Sequence, residues 1–152
     1  MTYKWEKADL LLTLGYGNIR TGVFGLEESQ TLEHRVYQEA LKPWKVSERV
    51  NTNHRYRFEQ RWVEDQKMKT RHRYNLFVNC ALSDETIEVG TVYLALYSEF
   101  FVADWGLDRP RLYSALGYKF SEEYKVQFGV MKQIVDGVGK NQAQISIHGV
   151  LK

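Results

Sequence analysis

The sequence predicts an all-β protein, a single antiparallel up-and-down β-barrel domain over residues 1–152, with about eight strands and of transmembrane type. Three observations predict this. Apolar and polar residues alternate with a period of two through most of the chain, and helical periodicity is weak. Turn-forming clusters divide the alternation into segments, while only two prolines, Pro43 and Pro110, stand against strand pairing. The polar face is dense in Arg, Glu, Gln and Tyr and nearly free of Lys at strand centres, where a solvent-facing sheet uses Lys freely.

The segments follow in order. Ala8, Leu10, Leu12 and Leu14 alternate with Asp9 and Thr13. Glu33 to Leu41 is the weakest, because His34 and Gln38 interrupt its apolar face. Arg55, Arg57, Glu59 and Arg61 oppose Tyr56, Phe58 and Trp62. Arg71, Arg73, Asn75 and Asn79 oppose Tyr74, Leu76, Val78, Cys80 and Leu82. Val92, Leu94, Leu96, Phe100 and Val102 alternate with Tyr93, Tyr97 and Glu99. Leu112, Leu116, Tyr118 and Phe120 oppose Arg111, Tyr113, Gly117 and Lys119. Val126, Phe128 and Val130 oppose Lys125, Gln127 and Gly129, and Ile145, Ile147 and Leu151 oppose Gln144, Ser146 and His148. Turn signals at Lys42-Pro43, Glu64-Asp65, Ser83-Asp84, Gly106 to Pro110, Ser121-Glu122 and Asp136-Gly137 separate them.

An even strand number puts both termini on one side. The connection from Gly17 to Gln30 is then the longest and is assigned to the outside, with the turns at Pro43, Ser83 and Ser121 opposite. Trp62 and Trp105 fall near one rim and Trp44, Phe120 and Tyr124 near the other, as two aromatic girdles would.

Composition narrows the functional classes. A net charge of +2 supplies no global field to recruit nucleic acid. Arg and aromatic residues interleave from His54 to Trp62, but strict alternation sends them to opposite faces, so they share no binding surface. One cysteine, Cys80, permits no internal disulfide. No apolar run reaches the roughly 18 residues of a membrane helix, and no signal peptide precedes the first strand-like segment, so the chain reads as a mature or trimmed form.

Alternation alone does not say which face is buried. A soluble lipocalin-like barrel, apolar within and binding a small apolar ligand, matches the strand count equally well. Arginine's rigid fork, however, suits carboxylate pairing in a confined space. Arg35, Arg55, Arg57, Arg61, Arg71, Arg73 and Arg111 with Glu33, Glu59 and Glu99 are therefore the expected lumen charge network.

Several short motifs occur in order: Glu33-His34-Arg35-Val36-Tyr37-Gln38, His54-Arg55-Tyr56-Arg57-Phe58-Glu59-Gln60-Arg61, Arg71-His72-Arg73-Tyr74, Tyr97-Ser98-Glu99-Phe100-Phe101, Asp108-Arg109-Pro110-Arg111-Leu112-Tyr113 and Leu116-Gly117-Tyr118-Lys119-Phe120. Together, over nearly the whole chain, they resemble a family of bacterial outer-membrane β-barrel proteins known only as a domain of unknown function (DUF2490). The resemblance implies a barrel in the outer membrane of a Gram-negative bacterium and implies no enzyme activity. Family members are usually longer at the N-terminus and end on an aromatic residue. This chain ends Val150-Leu151-Lys152 and has no signal sequence, so it reads as a trimmed or engineered version.

The Arg/Glu face admits two uses. It is a charged constriction that selects ions or small anions, or a plug, because about eight strands leave room only for their own side chains. The plug is preferred. A membrane-embedded lipid hydrolase is the third reading: His72, Ser98 and Ser114 share the apolar face, and His72 and Ser98 lie on neighbouring strands. It lacks an orienting third group and a Gly-x-Ser-x-Gly elbow. His34, His54, His72 and His148 show no metal-ligand spacing, and the glycines at 15–17 and 137–139 lack a strand-to-helix phosphate context. The expectation is a monomeric, non-enzymatic protein without cofactor, whose partner is membrane lipid or detergent rather than nucleic acid.

Overall fold

The computed structural model describes residues 1–22, 30–103, 106–107, 109–135 and 137–149. The strands are β1 (Thr2–Trp5), β2 (Leu10–Thr21), β3 (Thr31–Lys45), β4 (Val50–Val63), β5 (Lys69–Ala81), β6 (Val92–Ala103), β7 (Gly106–Leu107), β8 (Arg111–Lys119), β9 (Tyr124–Val135) and β10 (Val138–Gly149). One antiparallel sheet takes them in the order β1-β2-β3-β4-β5-β6-β8-β9-β10, with two-residue β7 pairing the end of β6. Eight of these strands are long, as the alternation predicts, and each pairs with its sequence neighbour. This meander needs only short connections.

The expected closure into a barrel is not present. Among the described residues no ladder joins β10 to β1 or β2. The reason lies in the first residues, which the alternation did not assign to a strand. Glu6–Ala8 form a 3-10 turn, Asp9 adopts a left-handed conformation, and Thr2–Trp5 fold back on β2 opposite Leu10–Thr13. Leu14 N–H donates to the Met1 carbonyl. The backbone positions that a closing strand needs at the start of β2, from Leu10 to Leu14, are occupied there. The same fold-back leaves Met1 partway across the sheet, beside Leu14, rather than at the rim. The sheet still curls: one cavity is lined by Leu41, Asn53 and Arg55 on one side and by Gln144, Ser146 and His148 on the other.

Two turn assignments are corrected. Pro43 lies inside β3 as the partner of Asn53, and the turn follows at residues 46–49. Leu41 pairs with Leu11, so Pro43 sits beyond the first residue of β2. β3 is an edge at that point and tolerates the missing N–H. β2 also runs on to Thr21, which makes the connection at 82–91 longer than the one at 22–30. Connections 46–49, 82–91 and 120–123 share the first rim; 22–30, 64–68 and 136–137 share the second. Trp44 (60% exposed), Phe120 and Tyr124 stand at the first rim, where the Phe120 and Tyr124 rings stack at 6.0 Å, and Trp62 stands at the second. Trp105 lies outside the described residues. Exposed Trp5 joins the first rim unannounced by the alternation.

The inner face is closely fitted. Tyr37 lies over Gly15 and Tyr93 over Gly117, its pairing partner in each case, and a Cβ at either glycine would meet the ring. Gly129 is tighter in a different way: a Cβ there would sit 2.3 Å from the Ser114 carbonyl oxygen, which is backbone and cannot swing aside. The 82–91 connection is itself ordered by Thr91, which is buried. Its Oγ1 donates to Asp84 and accepts from the Glu88 N–H. Ile87 from this connection packs against a cluster of Tyr93, Ala95, Tyr113 and Ala115 on the inner face.

Gly129→Ala is expected to destabilise the protein by about 1–3 kcal/mol, whereas Gly17→Ala, whose nearest atom is 3.9 Å away, should cost far less; unfolding midpoints of the two variants check this. Hydrogen bonds from Ser83 and Thr91 hold the Asp84 carboxyl below its ordinary range. A depressed folded value means the contribution is present above about pH 4, the unfolded value, and is lost as pH falls through the folded one. The amide protection factors of residues 84–92, exchange rates taken relative to the intrinsic rate at each pH, should therefore fall on acidification in the native protein, and Asp84→Asn should remove most of that pH dependence.

A candidate functional site on the inner face

Every arginine and glutamate of the expected network projects from an odd-numbered position and reaches the inner face. β3 contributes Glu33 and Arg35, β4 contributes Arg55, Arg57, Glu59 and Arg61, β5 contributes Arg71 and Arg73, β6 contributes Glu99 and β8 contributes Arg111. Glu59 is completely buried at the centre. Its carboxylate meets Arg71 at 2.6 Å, Arg73 at 2.9 Å, Arg35 at 3.7 Å and Arg57 at 3.8 Å. Glu99 accepts from Arg73 at 2.6 Å and lies 3.3 and 3.4 Å from Arg111 and Arg55. Glu33 joins Arg35 and Arg61, each at 2.6 Å.

Strand register explains why the carboxylates stand where they do. Arg35 pairs directly with Arg61, and Arg57 with Arg73. Like charges opposite one another repel. Glu33 bridges the first pair, and Glu59 together with Glu39 serves the second. A carboxylate that accepts from two guanidinium forks turns a repulsive row into charge-assisted hydrogen bonds.

Several members of this lattice were not legible beforehand. Glu39 lies 2.6 Å from Arg57. It shares the parity of Glu33 and Arg35, and the irregular outer face of β3 hid it. Phe101, buried, lies beneath the guanidiniums of Arg71, Arg73 and Arg111 at 4.7–5.2 Å. Tyr37 takes Arg57 at 4.3 Å. Gln133 accepts from Arg111 Nε. Among the described residues, seven arginines face four glutamates in this lattice.

The charged rows occupy the half of the inner face nearer the second rim. Toward the first rim, register places Asn53, Phe77, Tyr97, Tyr113 and Met131 in one row and Asn51, Asn79, Ala95, Ala115, Gly129 and Gln144 in the next. Here amides, aromatic rings and small residues predominate, and a cavity of about 370 Å³ opens among them, lined also by Arg55, Lys125 and His148.

The outer face does not bring together His72 and Ser98, the pair that the hydrolase alternative needs. Ser98 pairs with Leu76, and His72 pairs with Val102, four residues away along each strand, or about 13 Å at the strand rise. His72 Nδ1 is instead 2.6 Å from the Tyr56 hydroxyl. His34 and His54 make the same contact with Tyr16 and Tyr74. No group of three potential metal ligands occurs among the described residues.

Removing the Glu59 carboxylate leaves four arginines competing for the remaining acceptors. Glu59→Ala is expected to destabilise the fold by about 3–5 kcal/mol, the scale of a broken buried ion pair, and Glu59→Gln, which keeps the shape and one acceptor, by less. Thermal or urea midpoints decide this, and wild-type stability in Glu59→Ala would show that the lattice contributes nothing to the fold.

No curated protein and no solved structure matches the chain. The model of one family matches residues 1–144, and on that match the chain belongs to the family described as Protein of unknown function (DUF2490).

Proposed function

We propose that this is an integral protein of the outer membrane of a Gram-negative bacterium, non-enzymatic and monomeric, with lipid as its partner on the outer face and an interior filled by its own charged side chains. Its role is structural, with passage limited to small solutes. The observation that carries this reading is the inversion of burial. Ile145 and Ile147 are 70% and 73% exposed and Phe128 66%, while Glu59 is fully buried and Glu99 nearly so. Leu12, Leu14, Leu96, Phe100, Leu112, Leu116 and Val130 extend the exposed apolar face across the sheet. A contiguous apolar surface of this kind is costly in water and matched to hydrocarbon. Backbone groups of the interior strands β3 to β6, β8 and β9 are paired along the ladders, as hydrocarbon requires, whereas the edges at β1, β2 and β10 are open, and the Tyr–His contacts pair polar groups that the outer face would otherwise leave without partners. A soluble barrel holding an apolar ligand needs the reverse arrangement, with apolar residues within.

The test is folding into detergent micelles, read by the gel mobility of heated and unheated samples. A heat-dependent shift, with aggregation when detergent is withheld, is the expected result. Leu116→Arg places a charge in the middle of the outer face and should cost about 2–4 kcal/mol of folding into lipid vesicles. A monodisperse, β-rich protein in plain buffer, with Leu116→Arg folding normally, would overturn the membrane reading.

A further inference from the structure

The cavity next to the ion-pair lattice has a chemistry that the lattice does not share. Its lining includes three basic side chains, Arg55, Lys125 and His148, and no carboxylate. They come from β4, β9 and β10, so the curl of the sheet brings them to one space. Arg55 is the loosest of the lattice arginines that reach Glu99 or Glu39: its contacts are 3.4 and 3.8 Å, where Arg73 and Arg57 make 2.6 Å pairs with the same carboxylates. Its guanidinium has a weaker claim on the lattice and stands at the cavity wall.

The remaining lining is suited to hydroxyl groups and sugar-like faces. Asn53, Asn79, Gln127 and Gln144 present amides, and Ser146 a hydroxyl. Gln144 donates to Ser146 through Nε2, but its Oε1 is buried without a partner. A buried polar atom left unpaired costs free energy that a ligand's own donor would recover. Tyr97 stacks on Tyr113 with centroids 4.9 Å apart, Phe77 meets Tyr97 at a tilt of 54° and 5.7 Å, and the three rings give the wall an aromatic surface. The volume of about 370 Å³ lies within the range of small-molecule sites.

We propose that this cavity binds a hydroxylated organic anion, an anionic carbohydrate bearing a carboxylate or a phosphate. The acid group is held by Lys125, His148 and Arg55, the hydroxyls by the amides of Asn53, Asn79 and Gln144, and the carbon skeleton lies against the aromatic rings. The inference goes beyond membrane residence and rests only on the inward polar face. The folding control below therefore separates its failure from failure of the membrane reading.

The experiment is isothermal titration of the full chain, refolded in micelles and shown folded by its gel mobility, with gluconate, glucose 6-phosphate, glucose and inorganic phosphate. Saturable binding of gluconate or glucose 6-phosphate is expected, with neither glucose nor phosphate approaching that affinity. Whichever of the two binds more tightly identifies the acid group. Lys125→Met should weaken binding about tenfold, the scale of one charge-assisted hydrogen bond, with gel mobility unchanged. His148→Asn, at the edge strand, provides a second variant should Lys125→Met fail to fold, and a similar loss is expected. Glucose or phosphate binding as tightly as the charged sugars, affinity unchanged in a folded variant, or no binding by a folded protein would each overturn the proposal.

Discussion

The structure depends on how the carboxylates of Glu33, Glu39, Glu59 and Glu99 are shared among the arginines on the inner face. Glu59 is the hub. It is wholly buried, and four guanidiniums lie within 4.0 Å of it. Burying that many charges carries a large desolvation cost, which the ion pairs recover only with good geometry. The geometry is good because β-sheet register is regular: Glu59 pairs directly with Arg71, and Arg73 is one step along the same face. The energetic demand and the strand register are therefore one constraint. A one-residue slip of β5 against β4 would send Arg71 and Arg73 to the apolar side and leave Glu59 unpartnered.

That constraint also divides the inner face. Near the second rim the rows repeat arginine against arginine, and each repulsive row requires a glutamate diagonal to it. Near the first rim the rows carry aromatic rings, amides and small residues, and the fit becomes one of shape. Tyr93 lies over Gly117, and Ala115 against Gly129. The boundary is the row Arg55, Asn75, Glu99, Arg111 and Gln133, which runs across five strands. Asn75 is buried there with its Oδ1 unpaired. Filling by charge gives way at this row to filling by rings, and the cavity opens where neither fills completely.

The outer face obeys a complementary rule. It is apolar through its centre, with scattered Tyr, His, Ser, Thr, Asn and Gln and with Arg20, Lys42 and Lys132 toward the strand ends, and its three histidines on β3, β4 and β5 each contact a tyrosine hydroxyl on the adjacent strand. Each contact is diagonal, two residues off the direct register partner, where long side chains still meet. These histidines are thereby accounted for as mutually satisfied groups, and His72 is held away from any serine.

Much of this was legible in the residues. A period of two assigns each side chain to one of two faces, and every predicted network residue from Glu33 to Arg111 has the parity that brings it to the inner face. The eight long strands follow from the same alternation. Parity is local, set by the geometry of neighbouring peptide units, and so it survives any later choice of packing. Three things were decided by the tertiary structure. Which carboxylate serves which arginine depends on register across strands far apart in sequence. The opening of the sheet depends on residues 1–5 folding back on β2, a segment with no pattern of its own strong enough to announce it. The cavity depends on curl, which brings Arg55 within the same space as Lys125 and His148, side chains that follow it by 70 and 93 residues in the chain. A sequence records which face a residue occupies; the distance between two faces of a curved sheet is a property of the whole ladder.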